Sequence, residues 1–425
     1  MPRRLRLACA ALLLAAPLCA SEFPTDTYTL DDCVRLALRN NGELQTAEQG
    51  ITIAKQRVME AAFLFLPEVG VQASATRYQA RYPFVLRPNF RSIYLQPSTQ
   101  DNIYSGQAYM SMPIYEGRRN INTLDMSQAA LKQAQSKYDA AKLDILYTIK
   151  KVFYQLLLAQ ELSSAAEDVS QRAEGMLKSV SGRWERVEAE SLASGLRAAQ
   201  TEARHSMDVA RLEFLKGLNK EFDAPVKVAG KLETAPAEVN IQKALIWATE
   251  LRPELKSQTY KAQMDAIAVN LALGRRYPTV ALGFDYELTD QSFPLKQNNW
   301  DATVGVKLPF AVDFWTQHTQ KLAEQRQGEI ARAELQDQVE LEVRRAYMDM
   351  GYWQAEWPRR EEELKALQAL VEEAGRQAGS AVSLESLRAE ARLFSARQAY
   401  LKALTEHILA RARFERAVGR QLAAE

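Results

Sequence analysis

The sequence predicts an exported, mainly α-helical chain that also contributes four β-strands to a membrane barrel shared between subunits. Three observations predict this class: an apolar segment near the start of the chain, an internal repeat that covers most of it, and four alternating segments placed between long helical ones. Among 425 residues there are only 18 glycines and 15 prolines, which favours a few long elements over many short ones.

The first twenty residues have the pattern of a secretory signal peptide. Three arginines precede an apolar run, and Ala20 is a small residue suited to the position before a cleavage site. We therefore expect residues 1–20 to be removed and the mature chain to start near Ser21. The alternative is a lipoprotein lipidated at Cys19, which is disfavoured because Leu18 stands where that pathway prefers a small residue.

Composition excludes several classes of protein. Lys plus Arg (54) nearly balance Asp plus Glu (53), whereas proteins that bind nucleic acid are usually strongly basic. After the signal peptide no apolar run reaches the ~18 residues of a membrane-spanning helix, so the periplasm, the exterior and a β-barrel in the outer membrane remain. Cys33 is the only cysteine of the predicted mature chain, which excludes an intramolecular disulfide and favours a small apolar role on a helix.

An internal repeat divides the chain into two copies of one unit. Residues 30–44 match residues 241–255 at an offset of 211, and matched positions continue into the segments that follow. Each copy is predicted to contain a helix, two strands, a long helix, a turn and another long helix. We place the first repeat at residues 21–238 and the second at residues 239–425.

Four segments alternate between apolar and polar residues, as strands of a membrane barrel do. In the first, Val69 and Val71 fall on one face and Gly70 and Gln72 on the other. A soluble sandwich shows similar alternation, but four such runs between long helices, with aromatic residues at their ends, favour a barrel. Four strands cannot close a barrel, and open edges are not tolerated in lipid, so the barrel must be shared. The predicted strands cover residues 67–78, 104–115, 278–288 and 300–310, and the proline at each junction of strand and helix is Pro67, Pro113, Pro278 or Pro309.

The remaining segments predict unusually long helices. Residues 118–174 contain no glycine or proline, which corresponds to a rod of about 85 Å at ~1.5 Å per residue. Residues 313–378 and 380–418 also show a helical pattern. The alanine-rich faces of the long helices, with Ala129, Ala130 and Ala134 as examples, would allow neighbouring helices to approach closely. We expect coiled-coil-like packing into a helical barrel.

No constellation of residues indicates an enzyme, a metal site or a cofactor. The sequence lacks a nucleophile elbow, a phosphate loop, a zinc pattern and a dinucleotide fingerprint. Its three histidines, His205, His318 and His407, lie far apart on charged helical stretches, and we expect each to be solvated.

The repeated motifs resemble those of the TolC family of outer-membrane efflux and secretion channels, over nearly all of the mature chain. Residues 30–41 meet the opening motif of that family, and residues 252–255 meet the Arg-Pro-Glu-Leu form of its second repeat. The most specific match is the turn of the second helical hairpin, which is met by Gly379, Ala381, Glu385, Leu387, Ala389 and Glu390.

The resemblance implies a homotrimer with a twelve-stranded barrel in outer-membrane lipid and a helical tube in the periplasm. Such a trimer passively conducts substrates to the exterior from a periplasmic adaptor and an inner-membrane transporter, in a tripartite efflux pump or a type I secretion system. The alternative from another class is an exported coiled-coil structural or adhesive protein without a pore.

The resemblance also implies roles for the two helix-hairpin turns, which would dock the adaptor. By position these turns contain Ser191, Leu192, Ala193, Ser194 and Gly195 in the first repeat and Gly379, Ser380, Ala381, Val382 and Ser383 in the second. Glu385 and Arg388 stand where TolC has two acidic residues that ring the closed pore mouth. Arg388 either neutralises a carboxylate ring at this periplasmic constriction or forms a simple surface pair with Glu385. The long loop at residues 79–103 either restricts the external mouth or is a mobile surface loop.

Overall fold

The structure is a computed structural model that describes residues 26–77, 102–178, 180, 182–290, 292–309, 313–378 and 384–421. The predicted signal peptide, Cys19 and residues 79–101 of the long loop lie outside the described residues. Within them the helices are α1 (Leu30–Asn40), α2 (Gly42–Phe63), α3 (Arg119–Leu177), α4 (Arg183–Gly217), α5 (Ile241–Leu251), α6 (Pro253–Gly274), α7 (Phe314–Ala378) and α8 (Leu384–Val418). The strands are β1 (Asp26–Tyr28), β2 (Glu68–Arg77), β3 (Asn102–Glu116), β4 (Val226–Val228), β5 (Thr279–Asp290) and β6 (Gln297–Lys307).

Polar caps set the starts of the shorter helices. The Thr29 hydroxyl accepts from the Asp32 amide at 3.4 Å while the Asp32 carboxylate accepts from the Thr29 amide at 3.3 Å, a capping box that starts α1. Asn41 caps α2 through a 2.8 Å bond from the Glu43 amide, and Asn240 caps α5 in the same way. Helices α1 and α5 each have 11 residues, and α2 and α6 each have 22. The two repeats therefore start with the same local structure.

Most of the buried core lies in a region that we call the waist, which consists of two clusters. One joins α1, β1 and β4 to the middle of α3 and the end of α4, around Phe153 and Phe214. The other joins α5 to the middle of α7 and the end of α8, around Val343 and Phe414. Cys33 is buried in the first cluster, and burial raises the pKa of its thiol to about 12, which leaves it protonated and unreactive.

Ion pairs connect the two repeats across the waist. The buried Arg252 guanidinium, at the start of α6, bonds to Glu254 at 3.0 Å and to Glu342 of α7 at 2.5 Å. Arg416 of α8 pairs with Asp144 of α3 at 2.5 Å and also approaches Glu342 at 3.4 Å. Because α3 belongs to the first repeat and α7 and α8 to the second, this network fixes the repeats against each other.

His407 corrects the expectation that all three histidines are solvated. His205 is exposed and His318 is partly exposed beside Phe314, but His407 is fully buried, with Nδ1 2.9 Å from the Thr234 hydroxyl. Burial, together with the positive charge of Arg411, lowers the pKa of the His407 imidazole. The charged residues around His407 suggested a solvated helix face, but the segment between the repeats covers that face.

The four longer strands form one antiparallel sheet in the order β2, β3, β5, β6. The central pair, β3 and β5, joins the two repeats, and β2 and β6 are the sheet edges. The predicted class, mainly helical with four β-strands per chain, is confirmed. The short strands β1 and β4 pair in parallel and belong to the waist.

Candidate functional site

The sheet has one continuous apolar face, as the alternation of residues predicts. The register places Val69 opposite Met110, Met110 opposite Phe284, and Phe284 opposite Ala302, so the apolar positions of all four strands fall on the same side. These side chains stand open in the single chain, with Val71 84% and Val304 65% exposed. A surface of this size and chemistry requires contact with lipid or another apolar partner.

The other face of the sheet is polar and is held by side-chain hydrogen bonds. The hydroxyls of Ser74 and Ser105 lie 2.8 Å apart, and the Gln107 amide donates to the Asp285 carboxylate at 2.7 Å. Gly70 allows the Tyr109 ring to lie against β2, because a Cβ at Gly70 would come within 2.4 Å of that ring. The sheet thus separates an apolar face from a polar face, which is the division that a water-filled membrane barrel needs.

The four junction prolines differ in where they lie relative to the strands. Pro67 and Pro278 directly precede β2 and β5, and Pro309 follows β6. Pro113, however, lies inside β3, which continues to Glu116. Its missing amide hydrogen is accommodated by a shift in register between Pro113 and Tyr115, and the strand ends within one residue of the predicted end at residue 115.

The first helical hairpin turns earlier in the chain than the resemblance implied. Residues 191–195 lie inside α4, and the connection between α3 and α4 runs through residues 178–182. Ala189, Ala193 and Leu196 of α4 are buried, and Ala189 and Leu196 pack in one cluster with Leu387 of α8, which keeps this stretch helical. The expectation of a turn is therefore wrong for Ser191, Leu192, Ala193, Ser194 and Gly195, because α3 ends at Leu177 and α4 already begins at Arg183.

The second hairpin connects α7 to α8, and Gly379, Ser380, Ala381, Val382 and Ser383 lie outside the described residues. The first turn of α8 and the start of α4 stand side by side. We call this region the hairpin end, and it comprises residues 178–196 and 384–394. Trp184 is 84% and Val187 61% exposed there, which is unusual for large apolar side chains on a charged helix.

Arg388 contacts the neighbouring hairpin rather than Glu385. Its Nε donates to Glu188 Oε1 of α4 at 2.9 Å, and Nη2 contacts the same oxygen. A second ion pair joins Arg172 of α3 to Glu390 of α8 at 3.3 Å. Among the described residues Glu385 makes no hydrogen bond or ion pair, although its charge acts on Arg388. The two hairpins of one chain are thus tied together at the hairpin end.

Other kinds of site are not apparent in the described part of the chain. No three His, Cys, Asp or Glu side chains among the described residues are grouped so that they could hold a metal ion. None of the described helices has an apolar stretch long enough to cross a membrane.

An amphipathic sheet carried on long helices is typical of outer-membrane channel subunits, and the comparisons identify the family. Residues 33–213 and 247–420 match the family of outer membrane efflux proteins. Because these residues make up most of the chain, the protein belongs to that family. The predicted location, the bacterial outer membrane with an extension into the periplasm, is the location of this family, whose members are channels rather than enzymes.

Solved structures of outer-membrane proteins share the fold. The Campylobacter jejuni CmeC outer membrane channel is similar with a TM-score of 0.78 at 16% identity, over 98% of this chain and 94% of that chain. The Neisseria gonorrhoeae MtrE outer membrane channel in its open state gives 0.76 at 19% identity, over 92% and 89%. The outer membrane protein VceC of Vibrio cholerae gives 0.75 at 15%, over 92% and 96%. No curated protein matches the chain.

Proposed function

We propose that the chain assembles as a homotrimer whose three four-stranded sheets close into one β-barrel, and that this trimer passively conducts substrates across the outer membrane. The observation that carries the proposal is the open sheet. The outer edges of β2 and β6 pair with no strand among the described residues, and the apolar face of the sheet is exposed. Unpaired strand edges are not tolerated in lipid, so pairing β6 of one chain with β2 of the next satisfies both edges.

The proposed partners are a periplasmic adaptor and an inner-membrane transporter, in a tripartite efflux pump or a type I secretion system. The hairpin end supports an adaptor contact, because Trp184 and Val187 form an exposed apolar surface beside the turn at residues 178–182. Exposed tryptophan is enriched at protein interfaces, where it supplies much of the binding energy. The turn of the second hairpin, residues 379–383, belongs to the same proposed docking surface.

The proposed periplasmic constriction involves Glu385 and Arg388. Arg388 is neutralised by Glu188 of the same chain, whereas Glu385 has no bonded partner among the described residues. We therefore expect Glu385 to give the constriction its negative charge, and the Arg388–Glu188 pair to hold the two hairpins together. The exported coiled-coil protein without a pore is the alternative that the following experiment tests.

Purified protein reconstituted in planar bilayers tests the channel. We expect stepwise ion conductance, a trimeric mass in detergent, and a mobility on gels that changes on heating, as β-barrel oligomers show. A folded, helical protein that remains monomeric and never conducts would overturn the proposal in favour of the pore-free alternative.

The Arg388→Asp variant tests the constriction. Its carboxylate would repel Glu188 and add to the charge of Glu385, so we expect higher conductance and a stronger preference for cations. Arg397→Asp is the matched control, since Arg397 is an exposed residue of the same helix that lies outside the hairpin end and makes no ion pair among the described residues. Equal conductance and ion selectivity in the two variants would show that the constriction does not lie at Glu385 and Arg388.

A further inference from the structure

Four arginines meet where the strands pass into the helices. Arg118 and Arg119 follow β3 at the start of α3, and Arg275 and Arg276 follow α6 just before β5. All four are exposed. We call them the arginine cluster.

Two glycines bring the halves of the arginine cluster together. Gly117 has φ of 63°, and a Cβ there would lie 2.7 Å from the carbonyl oxygen of Gly274. A Cβ at Gly274 would in turn lie 2.9 Å from the carbonyl oxygen of Gly117. Both glycines are buried, so the two backbones touch and the arginines that follow them in sequence are held close together.

The positive charge of the arginine cluster is poorly balanced within the chain. Arg275 bonds to the neutral Gln317 side chain, and Arg276 bonds to the Tyr277 hydroxyl at 3.2 Å. Arg119 approaches the carboxylate of Glu116 only at 3.7 Å. Among the described residues Arg118, Arg275 and Arg276 have no carboxylate partner. Like charges held together in this way repel each other, and an anion bound among them would remove that repulsion.

A cleft of about 600 Å³ lies directly beside the arginine cluster, between the ends of α3, α6 and α7. Arg119 and Arg275 line it together with Lys321, and none of its described lining residues carries a carboxylate. Met126 and Leu271 give it an apolar part. Lys321 is paired with Glu324 at 2.6 Å, so the two arginines are the cations that remain for a ligand. The cleft therefore offers two guanidinium groups to an anionic group.

The junctions between strand and helix at the two sheet edges, α2 to β2 and β6 to α7, carry apolar residues where the central junctions carry arginines. At the repeat offset of 211, Phe63, Leu64, Phe65 and Leu66 stand where the second repeat has Gly274, Arg275, Arg276 and Tyr277. Likewise Phe314 and Trp315 stand 196 residues after Arg118 and Arg119. Phe63 is 56% and Trp315 68% exposed. Exposed aromatic residues next to a basic cluster are typical of the headgroup level of a membrane.

We propose that the arginine cluster binds the phosphate of anionic phospholipid headgroups in the leaflet that faces the periplasm. The guanidiniums bind the phosphate oxygens, and the acyl chains lie along the exposed apolar face of the sheet. This inference rests on the proposed function, because it requires the strands to cross the membrane. The positive charge complements an anionic headgroup, and the apolar junctions on either side complement the rest of the lipid.

Native mass spectrometry of the purified protein, titrated with short-chain phosphatidylglycerol, tests the inference. The test variant carries Arg118→Gln, Arg119→Gln, Arg275→Gln and Arg276→Gln. The control variant carries Arg326→Gln, Arg332→Gln, Arg392→Gln and Arg397→Gln, which removes the same charge from dispersed, exposed positions. We expect lipid binding at least about tenfold weaker in the test variant and unchanged in the control, since each arginine contributes to attraction of anionic lipid.

Several outcomes would overturn the inference. Equal lipid binding by the test variant and the wild type would do so, and so would displacement of the lipid by an equal concentration of inorganic phosphate, which would assign the site to soluble anions. If the test variant does not assemble, a variant with lysine at the same four positions is measured instead. Lysine keeps the positive charge, so this variant is expected to bind the lipid, and loss of binding would contradict the inference. Conductance is recorded in parallel. If the wild-type protein conducts but the test and control variants bind lipid equally, only the lipid site is refuted. If the wild-type protein never conducts, the proposed function is refuted.

Discussion

The apolar side chains of the waist are buried within the chain, whereas many of those of the four-stranded sheet are exposed. In the waist Phe214, Val343 and Phe414 are fully buried by other parts of the same chain. In the sheet Val71 is 84% and Val306 62% exposed. Burial of apolar surface contributes ~25 cal/mol per Å², so the waist gains this free energy within one chain. The sheet gains it only through contact with lipid and with other subunits.

A buried charged group of the waist has partners within the chain, whereas the backbone at the outer edges of the sheet pairs with no strand among the described residues. The waist encloses Arg252, whose side chain is 5% exposed, and satisfies it with two carboxylates and the Ala417 carbonyl oxygen. The sheet places its polar groups on one face, and in the described part of the chain the backbone at its two outer edges is unpaired. The waist is therefore expected to be stable in a single chain, and the sheet only in an assembly. The following predictions, in order of decreasing effect, test this distinction.

Phe214→Ala should have the largest effect on the waist. Removing a fully buried phenylalanine leaves a cavity and costs about 3–5 kcal/mol. Unfolding of the helices, followed by circular dichroism during denaturant titration, measures the loss. Trp184→Ala is the control, because an 84% exposed side chain should change this free energy by less than about 0.5 kcal/mol. Equal effects would mean that the first waist cluster is not a core.

Arg252→Ala should destabilise the waist by about 2–4 kcal/mol, because Glu254 and Glu342, whose side chains are 31% and 39% exposed, would lose the buried guanidinium that pairs with both. Arg344→Ala, which breaks an i,i+4 pair with Glu340 in which both side chains are 52% exposed, should cost less than about 1 kcal/mol. Denaturant titration of the two variants checks the difference. A neutral result for Arg252→Ala would show that this buried guanidinium adds no net stability to the waist.

Val71→Arg should affect the sheet and spare the waist. An arginine on the lipid-facing side of a barrel costs about 2–4 kcal/mol near the centre of the membrane. We expect less trimer in the outer-membrane fraction, while the helical unfolding transition of the solubilised chain stays unchanged. Gln72→Arg places the same charge on the polar face and should assemble normally. If Gln72→Arg were the more harmful variant, the assignment of the two faces would be reversed.

His407→Gln should have the smallest effect, visible as a change in pH dependence. Because burial lowers the pKa of His407, its folded state binds a proton less readily than its unfolded state. Stability from the neutral histidine is complete above about pH 6.5 and is lost as the pH falls through the lowered pKa, on the order of 1 kcal/mol per pKa unit. Thermal unfolding between pH 7 and pH 5 should show this loss in the wild type and in His205→Gln, but not in His407→Gln.

Local pattern in the sequence determined the helices, the strands and the faces of the sheet. Alternation of residues such as Val69, Gly70 and Val71 depends only on the two-residue period of a strand, and the register in the structure places the apolar positions on one side. The repeat likewise accounts for the equal lengths of α1 and α5, although Thr29 caps the start of α1 and Asn240 caps the start of α5. These features arise from neighbours in the chain and can be predicted from it.

Tertiary structure alone decided where the first hairpin turns and how distant charges pair. Ser191 and Gly195 disfavour a helix by only about 1 kcal/mol or less each, which the packing of Ala189 and Leu196 against Leu387 outweighs. The pairing of Arg388 with Glu188, 200 residues away in sequence, and the burial of His407 follow from which helices meet. Local sequence sets the elements through short-range geometry, whereas these contacts depend on the free energy of packing over the whole chain.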